Sequence, residues 1–133
     1  MKNFKKLYEE ASKISASRKL SKAANCGGVS SALITKNGSI YTGLCIVSCC
    51  GLGFCAEHSA IAEMLKNGES EIKEILAVKE NYDNAVISPC GRCRELMIQI
   101  NPKNKNTVVY LSSKKSEKLS KLLPNHWMKL YKN

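Results

Sequence analysis

A mixed α/β fold follows from this sequence: a sheet of about five strands with helices packed on it. Three observations predict it. Two β-rich runs, Val29–Thr35 and Ile40–Leu44, are joined by Lys36-Asn37-Gly38-Ser39, and Asn-Gly is a strong hairpin signal because both positions tolerate positive φ. Beyond the hairpin, runs of helical and of strand-like periodicity alternate. No repeat, low-complexity tract or linker divides the 133 residues, so one domain over residues 1–133 with a core of its own is expected.

Each element has a local cause. Phe4, Leu7, Tyr8, Ala11 and Ile14 recur at helical spacing and predict a first helix over residues 3 to about 19. The hairpin strands follow, then a loop ending at Cys55. Ala60, Ile61, Met64 and Leu65 share one side of a helix over Cys55–Leu65, closed by Asn67-Gly68. Ile72–Val78 reads as a third strand, Lys79–Asn84 as a polar loop and Ala85–Ile87 as a short apolar run. Pro89 introduces a helix over Cys90–Ile100, whose apolar face is Leu96, Met97 and Ile100, and Pro102 ends it. Val108–Leu111 is a fourth strand, Ser116–Leu123 a helix stopped by Pro124, and Trp127–Tyr131 a candidate fifth strand. Crossovers after the hairpin are expected to set the two cysteine-bearing helices at neighbouring sheet positions.

The formal charge of +10 raises the question of nucleic acid. Its distribution argues otherwise. The excess is mostly lysine, spread over the N-terminal region and the C-terminal third, with Arg18, Arg92 and Arg94 the arginines and few aromatics among them. A single-strand platform needs interleaved aromatic stacking, so a solvated lysine-rich surface is the reading taken. No apolar stretch reaches membrane-helix length, and Met1–Lys6 lacks the features of a signal peptide. A cytoplasmic location is therefore expected, in which seven cysteines serve as ligands or buried thiols and not as disulfides.

Cysteine spacing carries the chemistry. Cys90 and Cys93 lie one helical turn apart at a helix start, and Cys55 opens another helix, so two helix N-termini direct partial positive charge at three sulfurs. Three protein ligands suit zinc with a fourth position open to water, which zinc acidifies. Glu57, two residues past Cys55, is offset along its helix and suits proton transfer more than ligation. Three thiolates overcompensate a dication, so His58, Arg92 and Arg94 are candidates for tuning them. Such a pair suits attack of water on an amidine-type carbon with loss of ammonia. Other readings stand beside it: a structural zinc knot with Cys49 or Cys50 as fourth ligand, a non-catalytic zinc module, or an enzyme editing RNA or single-stranded DNA. Cys26 and Cys45 read as small buried apolar residues, and Cys49-Cys50 as part of a pocket-lining loop.

Cys55-Ala56-Glu57 together with Pro89-Cys90-Gly91-Arg92-Cys93-Arg94 resembles the small zinc-dependent cytidine deaminase family, which includes blasticidin S deaminase. Val29–Leu33, Gly38–Gly43 and Leu122–Pro124 followed by Trp127 extend the resemblance along most of the chain. It implies a three-layer α/β/α sandwich, a homotetramer, and one Zn2+ per subunit on Cys55, Cys90 and Cys93 with Glu57 as proton shuttle. It also implies a small cytosine-type substrate whose C4 amino group becomes a carbonyl, contacted by Ser30, Cys45, Val47, Ala56, Ser88 and Trp127.

Departures concern the sugar side. Where the family carries an Asn and a Glu that grip ribose, this chain has Cys45 and Val47, and a lost hydrogen bond to a charged group costs about 1.5–3 kcal/mol. Gly27 replaces the aromatic that stacks on the pyrimidine, and His58 stands where Arg is common. Ser30 matches blasticidin S deaminase where cytidine deaminases have Gly, which tilts the comparison toward an antibiotic deaminase.

Overall fold

Alternate residues of three neighbouring strands build two cores, one on each face of a single sheet, in the computed structural model. It describes residues 2–131; Met1, Lys132 and Asn133, part of the expected 1–133 domain, lie outside the described residues. Helix α1 (Phe4–Lys13) turns Leu7 and Ala11 inward. It stops at Lys13 and not near residue 19, because Ser15 and Ser17 bond away from the helix. The Ser15 hydroxyl donates to Asn84 Oδ1 (2.9 Å) and the Ser17 N–H to Glu80 Oε2 (2.9 Å). Arg18–Lys19 then forms a strand, β1, that the sequence did not announce.

Strands β2 (Ala24–Thr35) and β3 (Ile40–Ser48) make the expected hairpin, both longer than their apolar runs. The early part of β2 was hidden by Gly27 and Gly28. Pairing with β3 shifts register between Cys26 and Ser30, and Gly27 adopts φ +87° against the Ala16 carbonyl, the signature of a bulge at a close backbone approach. After them come α2 (Ala56–Lys66), β4 (Ile72–Lys79), β5 (Ala85–Ile87), α3 (Gly91–Ile100), β6 (Val108–Tyr110), β7 (Ser116–Lys118) and the single turn α4 (Leu119–Leu122). The main sheet order is β3-β2-β4-β6-β7, with β1 added to β2 and β5 to β4. Only β4 and β6 run parallel, so the sheet is mixed as expected.

Two C-terminal expectations are corrected. Ser116–Lys118 pairs with β6 as the fifth main strand, which leaves one helical turn of the predicted Ser116–Leu123 helix. Trp127–Leu130 is a 3₁₀ turn and not a strand, closed by three-residue backbone bonds from Lys129 N–H to His126 O and Tyr131 N–H to Met128 O.

Leu33, Ile75 and Val109 stand in register across β2, β4 and β6 and meet Ala60, Ile61 and Met64 of α2 and Met97 and Ile98 of α3. Their neighbours Ala32, Ile34, Leu76, Val78 and Tyr110 point to the other face and meet α1. The result is three layers, with α2 and α3 together on one side. Each fully buried Leu or Ile side chain there contributes about 1.5–3 kcal/mol. On the α1 side, the buried Glu74 carboxylate accepts from the Tyr110 hydroxyl, the Asn3 N–H and the Asn3 side-chain amide, which pins the start of α1 to the sheet. Tyr110→Phe should therefore destabilise the protein by about 1–3 kcal/mol, read as a lower urea midpoint at unchanged m.

Candidate metal centre and pocket

Cys55 and Cys90 sit one residue before their helices, as the N-caps of α2 and α3, and Cys93 lies in the first turn of α3. Cys55 Sγ is 3.6 Å from Cys90 Sγ, Cys90 Sγ is 3.7 Å from Cys93 Sγ, and all three lie within 4.8 Å of one another. A tetrahedron with Zn–S bonds of ~2.3 Å has edges of about 3.8 Å, so the trio already stands near zinc geometry. Among the described residues the cluster includes neither Cys49 nor Cys50, which argues against the four-cysteine knot. Cys49 Sγ instead approaches the Ala23 carbonyl at 3.6 Å. Cys26 and Cys45 are buried, as expected.

Electrostatics separates the three thiols. Burial pushes the Cys93 thiol far up, with Glu57 adding to it, and burial likewise raises Cys55. Burial also opposes ionisation of Cys90, but bonds from the Cys93 and Arg92 N–H groups and the Cys55 thiol outweigh it and lower Cys90. Only at Cys90 do the surrounding hydrogen-bond donors outweigh burial. A dication among the sulfurs would supply the positive charge that three thiolates need, which is how this donor set fits zinc.

Glu57 is 4% exposed and burial raises its carboxyl, opposed by its own backbone N–H. His58 Nδ1 lies 3.4 Å from Cys93 Sγ, and burial with the Arg92 guanidinium holds its imidazole below the usual value. Arg94 bonds to the segments around the site and not to the sulfurs: its guanidinium donates to Pro89 O (3.0 Å), Ser88 Oγ (3.0 Å) and Leu122 O (3.3 Å). It ties the Ser88–Pro89 segment that delivers Cys90.

Cys55 and Cys90, with Cys93 buried behind them, border a pocket of about 410 Å³, within the range of small-ligand sites. Cys55, Glu57, Cys90 and Arg92 line it together with Cys45, Val47, Ala56 and Ser88 of the expected substrate contacts. Cys45 Sγ accepts the Val29 N–H (3.2 Å), and Val47 is 54% exposed at the rim. Ser30 is elsewhere. It pairs with Leu44 and Val78 on the α1 face, fully buried, and its hydroxyl donates to Ala11 O (2.7 Å). Trp127 is 62% exposed and does not line the pocket; its N–H meets Glu95 Oε1 at 3.4 Å. Sequence reasoning missed Phe54 and Ile87 in the wall. Their adjacency in the chain to Cys55 and Ser88 was the available signal. Reciprocal 3.0 Å backbone bonds with Ile46 hold Phe54 in place.

The depth of the metal-bearing helix is set by Gly43 on β3. A Cβ there would stand 2.3 Å from Ala60 N, 2.6 Å from Ser59 Cβ and 2.7 Å from Ala56 O, mostly backbone that cannot yield. Gly43→Ala should cost at least the about 1–3 kcal/mol typical of overpacking and lower bound zinc per chain, measured by denaturation and elemental analysis.

Residues 1–111 match the family described as the cytidine and deoxycytidylate deaminase zinc-binding region. A blasticidin-S deaminase of Bacillus cereus is 36% identical over 81 residues, 56% of this chain and 58% of that protein. A probable cytidine deaminase of Dictyostelium discoideum is 33% identical over 72 residues, 53% of this chain and 48% of that one. The matched stretches thus span about half the length of these relatives. Among solved structures, cytidine deaminase from Burkholderia pseudomallei is 27% identical, covers 92% of this chain and 98% of its own, and superposes with TM-score 0.72. Cytidine deaminase from Mycobacterium tuberculosis, at 22% identity, TM-score 0.76, and 94% and 97% coverage, shares the fold.

Proposed function

The chain belongs to the cytidine and deoxycytidylate deaminase zinc-binding family, and from that premise we propose a zinc-dependent aminohydrolase acting on a small cytosine-type compound. The reaction replaces the C4 amino group by a carbonyl, consuming one water and releasing one ammonia. One observation carries this reading: three sulfurs cluster at tetrahedral-edge spacing, and two of their residues, Cys55 and Cys90, line a pocket together with Glu57. Zinc bound by Cys55, Cys90 and Cys93 would supply a water acidic enough to react near neutral pH. Glu57 would accept a proton from the attacking water and return protons to the ring nitrogen and the departing amine. Its burial keeps bulk water from competing for those protons. Arg92 borders the pocket, His58 stands against Cys93, and Arg94 positions the Cys90 segment.

A second reading, a blasticidin S deaminase-like enzyme acting on a nucleoside antibiotic, is favoured by Cys45 and Val47. Neither offers a strong hydrogen bond to ribose hydroxyls, since the Cys45 sulfur is occupied by Val29 and the Val47 side chain is apolar. Ammonia release or ultraviolet loss across cytidine, deoxycytidine, cytosine and blasticidin S tests both. Cytidine turnover at the level of an ordinary cytidine deaminase would refute the role given to Cys45 and Val47. Zinc-loaded protein inert toward the whole panel would refute deamination.

The same reading includes a homotetramer in the cytoplasm. Exposed Leu20, Val47, Leu52 and Trp127 support association, and cysteines that are all free support a reducing compartment. Among the described residues no helix is long and apolar enough to cross a membrane. Light scattering giving a monomer at micromolar concentration would overturn the assembly.

A further inference from the structure

We propose, resting on the deaminase reading above, that Phe54 is a substrate-binding residue whose ring packs on the face of the cytosine-type ring and so sets C4 beside the cysteine cluster. Among the described residues the pocket walls hold one aromatic side chain, and it is Phe54. The charged groups of the pocket, Glu57 and Arg92, flank ligand cysteines in the chain, and the Ser88 hydroxyl is taken by Arg94 (3.0 Å). Much of the remaining wall is aliphatic or thiol: Val29, Cys45, Ile46, Val47 and Ile87. A flat, π-rich heterocycle in that space is matched by Phe54, because offset stacking adds attraction beyond the area buried.

Place in the chain puts Phe54 at the reacting end. It directly precedes Cys55, and consecutive Cα atoms are ~3.8 Å apart, so its backbone is tethered to a ligand cysteine. Ring C4 must come to the cysteine cluster and Glu57, and a six-membered ring extends only a short way from there. Val47 stands farther out, at the rim.

Phe54 is also held still. Its N–H donates to Ile46 O and its carbonyl accepts the Ile46 N–H, both at 3.0 Å. Gly53 permits that approach: a Cβ there would stand 2.2 Å from Ile46 O and 3.3 Å from Ser48 N. Cys50 and Gly51, at φ 59° and 67°, turn the chain just before it, and the Leu52 N–H closes the turn on Cys49 O (3.2 Å). A wall anchored in this way has little freedom left to lose when a ligand packs on it. Strand β2 offers no substitute. At Gly27 φ is +87° and a Cβ would lie 2.1 Å from Ala16 O, so no aromatic fits there without moving backbone.

The test measures kcat, KM and zinc per chain for zinc-loaded full-length protein and its Phe54→Leu and Phe54→Tyr variants, on cytidine, deoxycytidine, cytosine and blasticidin S. Leucine keeps an apolar side chain and removes the flat ring. Phe54→Leu is expected to raise KM by about 10–100-fold, the range of one lost base–aromatic stack. Turnover should change by less than about threefold, since stacking serves ground and transition states alike. The factor should be the same for every compound turned over, because all share the ring and differ beyond N1. Phe54→Tyr should bring KM back near its original value. Zinc should stay near one per chain in both variants, which a structural fault beside Cys55 would not allow. If the leucine variant does not fold, Phe54→Met carries the same expectation. A KM unmoved by loss of the ring, an effect confined to kcat or zinc, no recovery with tyrosine, or a factor that differs between compounds would each overturn the proposal. In those cases deamination by the unaltered protein still stands. Unaltered, zinc-loaded protein inert toward all four compounds removes the deaminase reading and this inference with it.

Discussion

Glu57→Gln is expected to lower turnover by about 10²–10⁴-fold while zinc stays near one per chain. Glutamine keeps the size of the side chain, so the packing of a residue only 4% exposed is preserved and α2 stays in place. What is lost is a carboxylate able to accept a proton and return it. Ammonia release and elemental analysis on the same preparation check both halves. If turnover persists, the proton passes through another group; if zinc leaves, Glu57 holds the metal and does not serve it.

Cys93→Ser should have the other large effect, and it removes metal and activity together. Cys93 is fully buried in the first turn of α3, so no solvent ligand can take its place easily. Losing an outer-shell partner weakens a zinc site by about 10–100-fold, and losing a direct sulfur ligand should exceed that. Competition with a chelator measures it. Cys49→Ser is the matched control: its sulfur is exposed and outside the cluster, and zinc affinity should be unchanged. A fall in affinity for Cys49→Ser would revive the four-cysteine knot.

What could be read from the sequence was local. Pro89 and the i, i+3 cysteines announce a helix start with two sulfurs on one side, and Asn37-Gly38 announces the hairpin. What could not be read depends on partners distant in the chain. Arg18–Lys19 and Ser116–Lys118 carry no apolar alternation and become strands only because β2 and β6 offer unpaired edges. Ser30 shows the same limit within the site. From Ser30 to Thr35 the strand is buried on both faces, so alternation gave no sign of which face Ser30 takes, and it bonds to α1 away from the pocket. Pocket contacts that follow a ligand along the chain, such as Ala56, were legible; Trp127, far away, was not.

The row Gly43, Cys45 and Val47 points one way along β3, since alternate strand residues share a face. At its inner end the missing side chain fixes how deeply α2 seats; at its outer end two side chains form part of the cavity wall. Substitutions at positions 45 and 47 therefore reshape that wall while leaving the contact between Gly43 and α2 untouched.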